Sequence, residues 1–161
     1  AIQICRDFDM QVITTVGNKN KVHHAEKMGA DYVIMHNEKN WIKKVFDITG
    51  NKGIDVIFEH IGKTTWNQSL RLLTKGGRIV TCGATTGKDV GIDLAHLFIK
   101  QHSILGSTMS NLKIFNDVMD KIINKVYFPF VDKIFPMNDI QEAHKHIIKR
   151  NHTGKVVVNL D

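Results

Sequence analysis

The chain has 161 residues and carries 22 lysine and arginine side chains against 16 aspartate and glutamate side chains, a net charge of +6. This length is enough for one domain with its own core, and the basic residues are spread along the chain instead of forming the block typical of nucleic-acid-binding segments. Two distant cysteines and the lack of a long apolar run argue against a disulfide framework, a cysteine-rich zinc site and a membrane span. We therefore expect a cytoplasmic protein with no nucleic-acid or membrane partner.

Residues 11–34 predict a strand, a turn, a helix and a second strand. The β-branched run of residues 12–16 suits a buried strand, and Gly17 ends it. Asn18 is a good N-cap for the following helix, and Gly29 is suited to its C-terminal cap. Two short apolar strands joined by one helix form a βαβ unit, whose strands should be parallel and whose crossover should be right-handed.

Strands and helices continue to alternate along the rest of the chain. Short apolar runs predict further strands at residues 32–34, 54–58, 78–82, 103–108, 131–135 and 155–160. Amphipathic spacing predicts further helices at residues 1–9, 38–49, 64–74, 94–100, 112–125 and 138–150, the last opened by a capping box of Asn138 and Gln141. This alternation is typical of an α/β fold with a parallel sheet flanked by helices.

Ligands of parallel α/β sheets bind beyond the carboxyl ends of the strands, so the residues at these ends are the candidate site. They are Gly17, Asn18 and Lys21 after the first strand, His36 after the second, His60, Ile61 and Gly62 after the third, Gly83, Ala84 and Thr85 after the fourth, and Gly106 and Ser107 in the fifth. A glycine at a strand end lets the backbone approach a flat ligand closely. Its repetition at several strand ends indicates an extended nucleotide.

The end of the first strand bears on the type of nucleotide. A carboxylate there would bind the ribose 2′-hydroxyl of NAD, whereas a small residue with a nearby cation accommodates the 2′-phosphate of NADP. Gly17 and Asn18 are followed by Lys21, with no acidic side chain between them. This pattern favours NADP, with NAD as the alternative. An ordinary turn glycine and a solvated lysine explain the same residues about equally well.

The histidines do not predict a metal site. His23 and His24 are adjacent, and His144 and His146 are two apart, whereas helical metal ligands need a spacing of three or four. We expect these four side chains to face solvent. His60, at a strand end, is expected to be a core or capping histidine rather than a proton shuttle.

Other chemically active side chains also lack partners in the sequence. Cys82 lies in a predicted strand with apolar neighbours and is predicted to be a buried, unreactive thiol. Glu59 and Asp93 have no catalytic partner at a recognisable spacing. We therefore predict no catalytic residue and no metal ligand within this chain.

Four segments resemble the nucleotide-binding half of the medium-chain dehydrogenase/reductase superfamily. They are VITTVGNKNKVHHAEKMGADYVI, GIDVIFEHIGKTTWNQSLRLLTKGGRIVTCGATTG, SILGSTM and GKVVVNL, which follow one another in the order of the family, so that the resemblance extends over almost the whole chain. The superfamily includes zinc-dependent alcohol dehydrogenases and zinc-free NADPH quinone oxidoreductases. The resemblance implies a Rossmann fold and hydride transfer between a nicotinamide and an alcohol, carbonyl or quinone substrate.

The resemblance also implies roles for individual residues. Gly17 and Lys21 match the pattern that holds a 2′-phosphate, while His36 falls where that pattern often has tyrosine. The segments that line the nicotinamide ribose and carboxamide correspond to His60, Ile61 and Gly62, to Gly83, Ala84 and Thr85, and to Leu105, Gly106 and Ser107. Lys155 matches a basic residue near the pyrophosphate.

The same resemblance implies that the first Rossmann strand, its glycine-rich turn and a catalytic domain belong before Ala1. Residues 1–135 would then be a Rossmann domain truncated at its N-terminus, and residues 136–161 a helix and strand returning to the catalytic domain. In the Rossmann strand order 3-2-1-4-5-6 the missing strand is the central one. The chain alone is therefore expected to bind NADPH weakly.

We expect the cofactor-binding portion of an NADP-preferring oxidoreductase that acts on an alcohol and its aldehyde or ketone, with zinc supplied by the rest of the enzyme. The alternatives are a zinc-free NADPH quinone oxidoreductase and, in a different class, an inactive nucleotide-binding or dimerisation fragment. Subunits of the superfamily pair along the edge of the sheet, so the resemblance implies a homodimer through the strand that runs from Ser103 to Thr108.

Overall fold

The computed structural model describes residues 1–150 and 152–160. Its helices over this range are α1 (Ile2–Asp7), α2 (Val22–Lys27), α3 (Trp41–Ile48), α4 (Trp66–Leu72), α5 (Leu94–Ile99), α6 (Leu112–Ile123) and α7 (Ile140–Ile148), with 3-10 turns at Lys19–Lys21 and Met137–Asp139. Its strands are β1 (Ile13–Val16), β2 (Tyr32–Met35), β3 (Ile54–Glu59), β4 (Leu73–Thr81), β5 (Ser103–Gly106), β6 (Val131–Pro136) and β7 (Lys155–Asn159). Within the described residues, no helix is both long enough and apolar enough to cross a bilayer.

The predicted alternation of strands and helices is confirmed, but the boundary between α4 and β4 is shifted. The helix was expected to continue to residue 74, whereas Leu73 is already extended, with ψ 136°, and lies opposite Ile54 in the neighbouring strand. Leu73 is only 6% exposed, so its place in the core overrides the helical pattern that the sequence carries. Gly76, with φ +76°, then allows the backbone to turn within the strand.

Two helix starts also differ from the expected caps. The Asn18 side chain accepts a hydrogen bond from the Asn20 amide at 3.0 Å, so it caps the 3-10 turn, and α2 begins only at Val22. The predicted capping box at Asn138 is wrong. Asn138 lies within the second 3-10 turn, and Asp139 occupies the N-cap position of α7.

The chain forms two compact units, here called unit 1 and unit 2. Unit 1 contains Ile34–Ser110 with Ala1, and unit 2 contains Ile2–Val33 and the described residues from Asn111 onward. In unit 1 the strands lie in the order β3-β4-β5, and both pairs are parallel. In unit 2, β6 and β7 form a parallel pair. Strands β1 and β2 form a separate two-stranded sheet.

The core of unit 1 lies between α4 and its sheet. Trp66 and Leu70 from the helix pack with Leu73 and Ile79 from β4, and Ile79 has no exposed surface. The helix therefore buries one face against the central strand of the sheet.

In unit 2, α1 is tied to the segment after α6. The side chain of Gln3 donates to the carbonyl of Phe128 at 2.9 Å and accepts from its amide at 2.6 Å. Asp7 accepts hydrogen bonds from Lys121 at 2.9 Å and from the Tyr127 hydroxyl at 2.8 Å. These hydrogen bonds, that from Lys121 foremost, hold the pKa of Asp7 below its ordinary value.

We expect Ile79→Ala to lower the free energy of unfolding by about 2 to 5 kcal/mol, because it leaves a cavity at the fully buried centre of the core. The matched control is Ile123→Ala on α6, where the side chain is 69% exposed, and it should change little. Denaturant unfolding of the two variants measures the difference. Equal losses would contradict the assignment of the core.

Candidate functional site at the strand ends

Three strand ends meet at one edge of the sheet in unit 1. Because the strands are parallel and in register, Glu59 of β3 lies opposite Thr81 of β4, which lies opposite Gly106 of β5. The amide of Ser107 extends the pairing by donating to the carbonyl of Thr81 at 2.9 Å. The structure therefore brings together the predicted site residues that follow β3, β4 and β5.

The loops after β3 and β4 are hydrogen-bonded to each other. The amide and hydroxyl of Thr85 donate to the carbonyl of His60 at 3.4 and 3.0 Å. The amide and hydroxyl of Thr86 donate to the carbonyl of Ile61 at 2.8 and 2.9 Å. Residues 60–63 and 82–87 are here called the laced loops. Four hydrogen bonds join them, because Thr85 and Thr86 each donate from both the backbone amide and the side-chain hydroxyl.

The laced loops approach each other too closely for a side chain at Gly62. This glycine is buried with φ +88°, and a Cβ added there would lie 2.5 Å from the carbonyl oxygen of Gly87. The same carbonyl accepts a hydrogen bond from the amide of Lys63 at 3.1 Å. Gly62 is therefore required both by its backbone angle and by the contact between the loops.

A buried carboxylate lies beneath the laced loops. Glu59, the last residue of β3, is 4% exposed, and its Oε1 accepts from the amides of Ile61 at 2.7 Å and Gly62 at 3.1 Å. Its Oε2 accepts from the Ser69 hydroxyl at 2.7 Å, and the Thr65 hydroxyl lies 3.1 Å from both oxygens. Burial raises the pKa of Glu59, but the hydrogen bonds from Ser69, Gly62, Ile61 and Thr65 outweigh it and leave the pKa below its ordinary value. The group is therefore a charged carboxylate at neutral pH.

The outer surface of the same strand ends is made of small, exposed residues. Gly83, Ala84, Thr85, Gly106 and Ser107 are all exposed, and a Cβ added to Gly106 would meet nothing within 4 Å. Short side chains leave the backbone edge open to contact. A flat ring and its ribose fit a surface of this kind.

The sequence interpretation missed the role of Glu59 and was wrong about Cys82. The sequence indicates no catalytic partner for Glu59 and does not reveal its hydrogen-bond donors, which are two backbone amides and two hydroxyls. The signal was the spacing of Thr65 and Ser69, which are four residues apart and so share one face at the start of α4. Cys82 is exposed instead of buried, because β4 ends at Thr81 and the thiol lies in the loop that follows.

The other predicted site residues lie outside this cluster. In unit 2, Gly17 and Asn18 directly follow β1, and Lys21 ends the 3-10 turn that Asn18 caps. Lys155 begins β7, where its amide donates to the carbonyl of Phe130 at 2.8 Å. In unit 1, His36 lies in the exposed turn directly after β2.

The histidines do not all face solvent as predicted. His23 and His144 are exposed, but the ring of His24 lies 4.2 Å from that of Phe130, and His146 donates from Nε2 to Asp132 at 2.8 Å. For these last two residues the prediction is wrong. Among the described residues, no group of three or more histidine, cysteine, aspartate or glutamate side chains could hold a metal ion.

The sequence model described as "Zinc-binding dehydrogenase" matches residues 1–124. The chain belongs to the zinc-binding dehydrogenase family. The predicted membership of the medium-chain dehydrogenase/reductase superfamily is thereby confirmed.

Similar proteins of this family are oxidoreductases by name. The chain is 34% identical over 112 residues to crotonyl-CoA carboxylase/reductase of Cereibacter sphaeroides, a match that covers 68% of this chain and 26% of that protein. It is 28% identical over 167 residues to human quinone oxidoreductase, which covers 99% of this chain and 50% of that protein. The chain thus spans between a quarter and a half of the length of these two relatives.

A solved structure gives the same result for the fold. The crystal structure of an NAD-dependent alcohol dehydrogenase superposes with a TM-score of 0.92 at 32% identity, covering all of this chain and 47% of that one. The predicted α/β fold of the Rossmann type, with parallel strands flanked by helices, is confirmed.

We expect Gly62→Ala to lower the free energy of unfolding by about 1 to 3 kcal/mol beyond the cost of its backbone angle, because the new methyl group would overlap the carbonyl of Gly87. The matched control is Gly76→Ala, which has a similar φ of +76° but no atom within 4 Å of the added Cβ. Denaturant unfolding separates the two costs. Equal losses in the two variants would contradict the close contact between the laced loops.

Proposed function

We propose that this zinc-binding dehydrogenase chain is the cofactor-binding portion of an NADP-preferring oxidoreductase. The observation that carries the proposal is the convergence of three parallel strand ends on one surface of small, exposed residues in unit 1. Ligands of open α/β sheets bind at this end of the strands. The names of the similar proteins, which include reductases and an alcohol dehydrogenase, support the same class of reaction.

The nicotinamide half of the cofactor is assigned to unit 1. The loop of His60, Ile61 and Gly62 and the loop of Gly83, Ala84 and Thr85 contact the ribose and carboxamide through their backbone edges. Leu105, Gly106 and Ser107 complete this surface. When bound, the nicotinamide supplies or accepts the hydride. The chain itself positions the ring and shields one of its faces from water.

The adenosine 2′-phosphate is assigned to the end of β1. Lys21 supplies the positive charge, and Gly17 and Asn18 directly precede the 3-10 turn that Lys21 ends. Residues 17–25 contain no carboxylate that would repel a phosphate. His36 and Lys155 are proposed as further contacts, His36 with the 2′-phosphate and Lys155 with the pyrophosphate.

The substrate is proposed to be an alcohol with its aldehyde or ketone, in a reaction assisted by zinc that the complete enzyme holds outside this chain. A zinc-free reaction with a quinone is the second candidate, favoured by the match to human quinone oxidoreductase along 99% of this chain. We assign no catalytic residue within this chain to either reaction, so its proposed role is cofactor binding.

The remaining assignments concern assembly. We propose a cytoplasmic enzyme whose subunits pair along β5, which is an edge strand of its sheet and exposes 45% of Leu105. An unpaired strand edge with an apolar side chain is a ready site for pairing with a second copy. The division of the chain into a partial Rossmann domain up to residue 135 and a returning segment from residue 136 is also a proposal.

We expect Lys21→Ala to weaken NADPH binding about tenfold, corresponding to the loss of one charge-assisted hydrogen bond, and to leave NADH binding unchanged. The control is Lys27→Ala at the end of α2, which removes the same charge within the same unit. Fluorescence titration of the protein at its natural length with each cofactor gives the dissociation constants. A wild type that prefers NADH, or equal losses for both cofactors, would contradict the assignment.

A further inference from the structure

The carboxylate of Glu59 links two parts of unit 1 that must stay together. On one side it accepts hydrogen bonds from the amides of Ile61 and Gly62, at 2.7 and 3.1 Å. On the other side it accepts hydrogen bonds from the hydroxyls of Thr65 and Ser69 at the start of α4, at 3.1 and 2.7 Å. The loop after β3 is therefore connected to α4, and the apolar face of this helix packs into the core of the unit.

The anchor extends to the second of the laced loops. The amide of Cys82 donates to the backbone carbonyl of Glu59 at 3.1 Å, and the threonines at 85 and 86 donate to the carbonyls of the next two residues. A change in the conformation of residues 60–62 would therefore move residues 82–87 as well. The side chain of Glu59 is thus bonded directly to the first loop and, through the backbone of residues 59–61, connected to the second.

Glu59 is separated from any ligand by the loops that it holds. It is 4% exposed, whereas His60 and the residues from Gly83 to Thr85 are exposed on the outer surface. Direct contact with a cofactor is excluded by this burial. An effect of Glu59 on binding must act through the loops.

We propose that Glu59 is a positioning residue for the nicotinamide half of the cofactor: its carboxylate orders the laced loops from beneath so that their backbone edges meet the ribose and carboxamide. This inference rests on the proposed function. It adds a residue that makes no contact with the cofactor and that acts only on the part of the cofactor bound by unit 1.

The test compares two ligands that share only the adenosine end. In the protein at its natural length, Glu59→Ala should raise the dissociation constant of NADPH about tenfold or more, because the amides of Ile61 and Gly62 lose their acceptor. The dissociation constant of adenosine 2′,5′-bisphosphate, which lacks the nicotinamide half, should stay within about twofold of the wild type. Isothermal titration calorimetry measures both.

A conservative variant provides the rescue. Glu59→Gln keeps an oxygen for the two loop amides and can donate its amide to the Ser69 hydroxyl, which also accepts. We expect it to restore NADPH binding to within about threefold of the wild type. The control is Asp93→Ala, which removes a carboxylate that caps α5 in the same unit by accepting the His96 amide at 3.0 Å. It should change neither dissociation constant.

Each outcome has a distinct meaning. A wild type that binds neither ligand would refute the proposed function, and this inference with it. Normal NADPH binding by Glu59→Ala would refute only the inference. An equal loss of affinity for both ligands would also refute it, because it indicates a merely structural role. If Glu59→Ala does not fold, the double variant Thr65→Val with Ser69→Ala, which removes the anchor to α4 but keeps the carboxylate, is judged by the same selective loss of NADPH binding.

Discussion

In unit 1, one buried side chain, the carboxylate of Glu59, joins the loop after β3 to the start of α4 through the donors that surround it. A carboxylate without partners would be costly in this position, but Glu59 accepts hydrogen bonds from two backbone amides and two hydroxyls. Two of these donors belong to the loop after β3 and two to the start of α4. The satisfied carboxylate therefore couples the rigid core between α4 and the sheet to the loops at the strand ends.

The two units present different chemistry at their strand ends. In unit 1 the surface consists of small residues whose backbone is held in place from beneath, which suits recognition of a flat, uncharged ring. In unit 2 the turn after β1 carries lysines and asparagines without a carboxylate, which suits an anion. Binding through backbone groups depends on the exact position of the loops, whereas binding through a lysine depends mainly on its charge. Substitutions in the two regions should therefore differ in their effects on cofactor binding.

Much of the fold could be predicted from the sequence because short β-branched runs alternate with amphipathic helices. The candidate residues after β3, β4 and β5 lie together, as predicted, because parallel strands end at one edge of the sheet. The errors occurred where tertiary contacts override local pattern. Leu73 belongs to β4 because its side chain is buried in the core. Cys82 is exposed because the strand ends at Thr81, one residue before the predicted end. Glu59 was missed because backbone amides, which have no sequence signal, supply two of its partners. The cofactor assignments of the individual site residues stay predictions.

Binding of the nicotinamide half of NADP by the laced loops can be measured by hydrogen–deuterium exchange of the protein at its natural length, with and without saturating NADP⁺. We expect slower amide exchange in residues 60–63 and 82–87 together with residues 17–21 when the cofactor is bound. Saturated binding with unchanged exchange in both laced loops would contradict it.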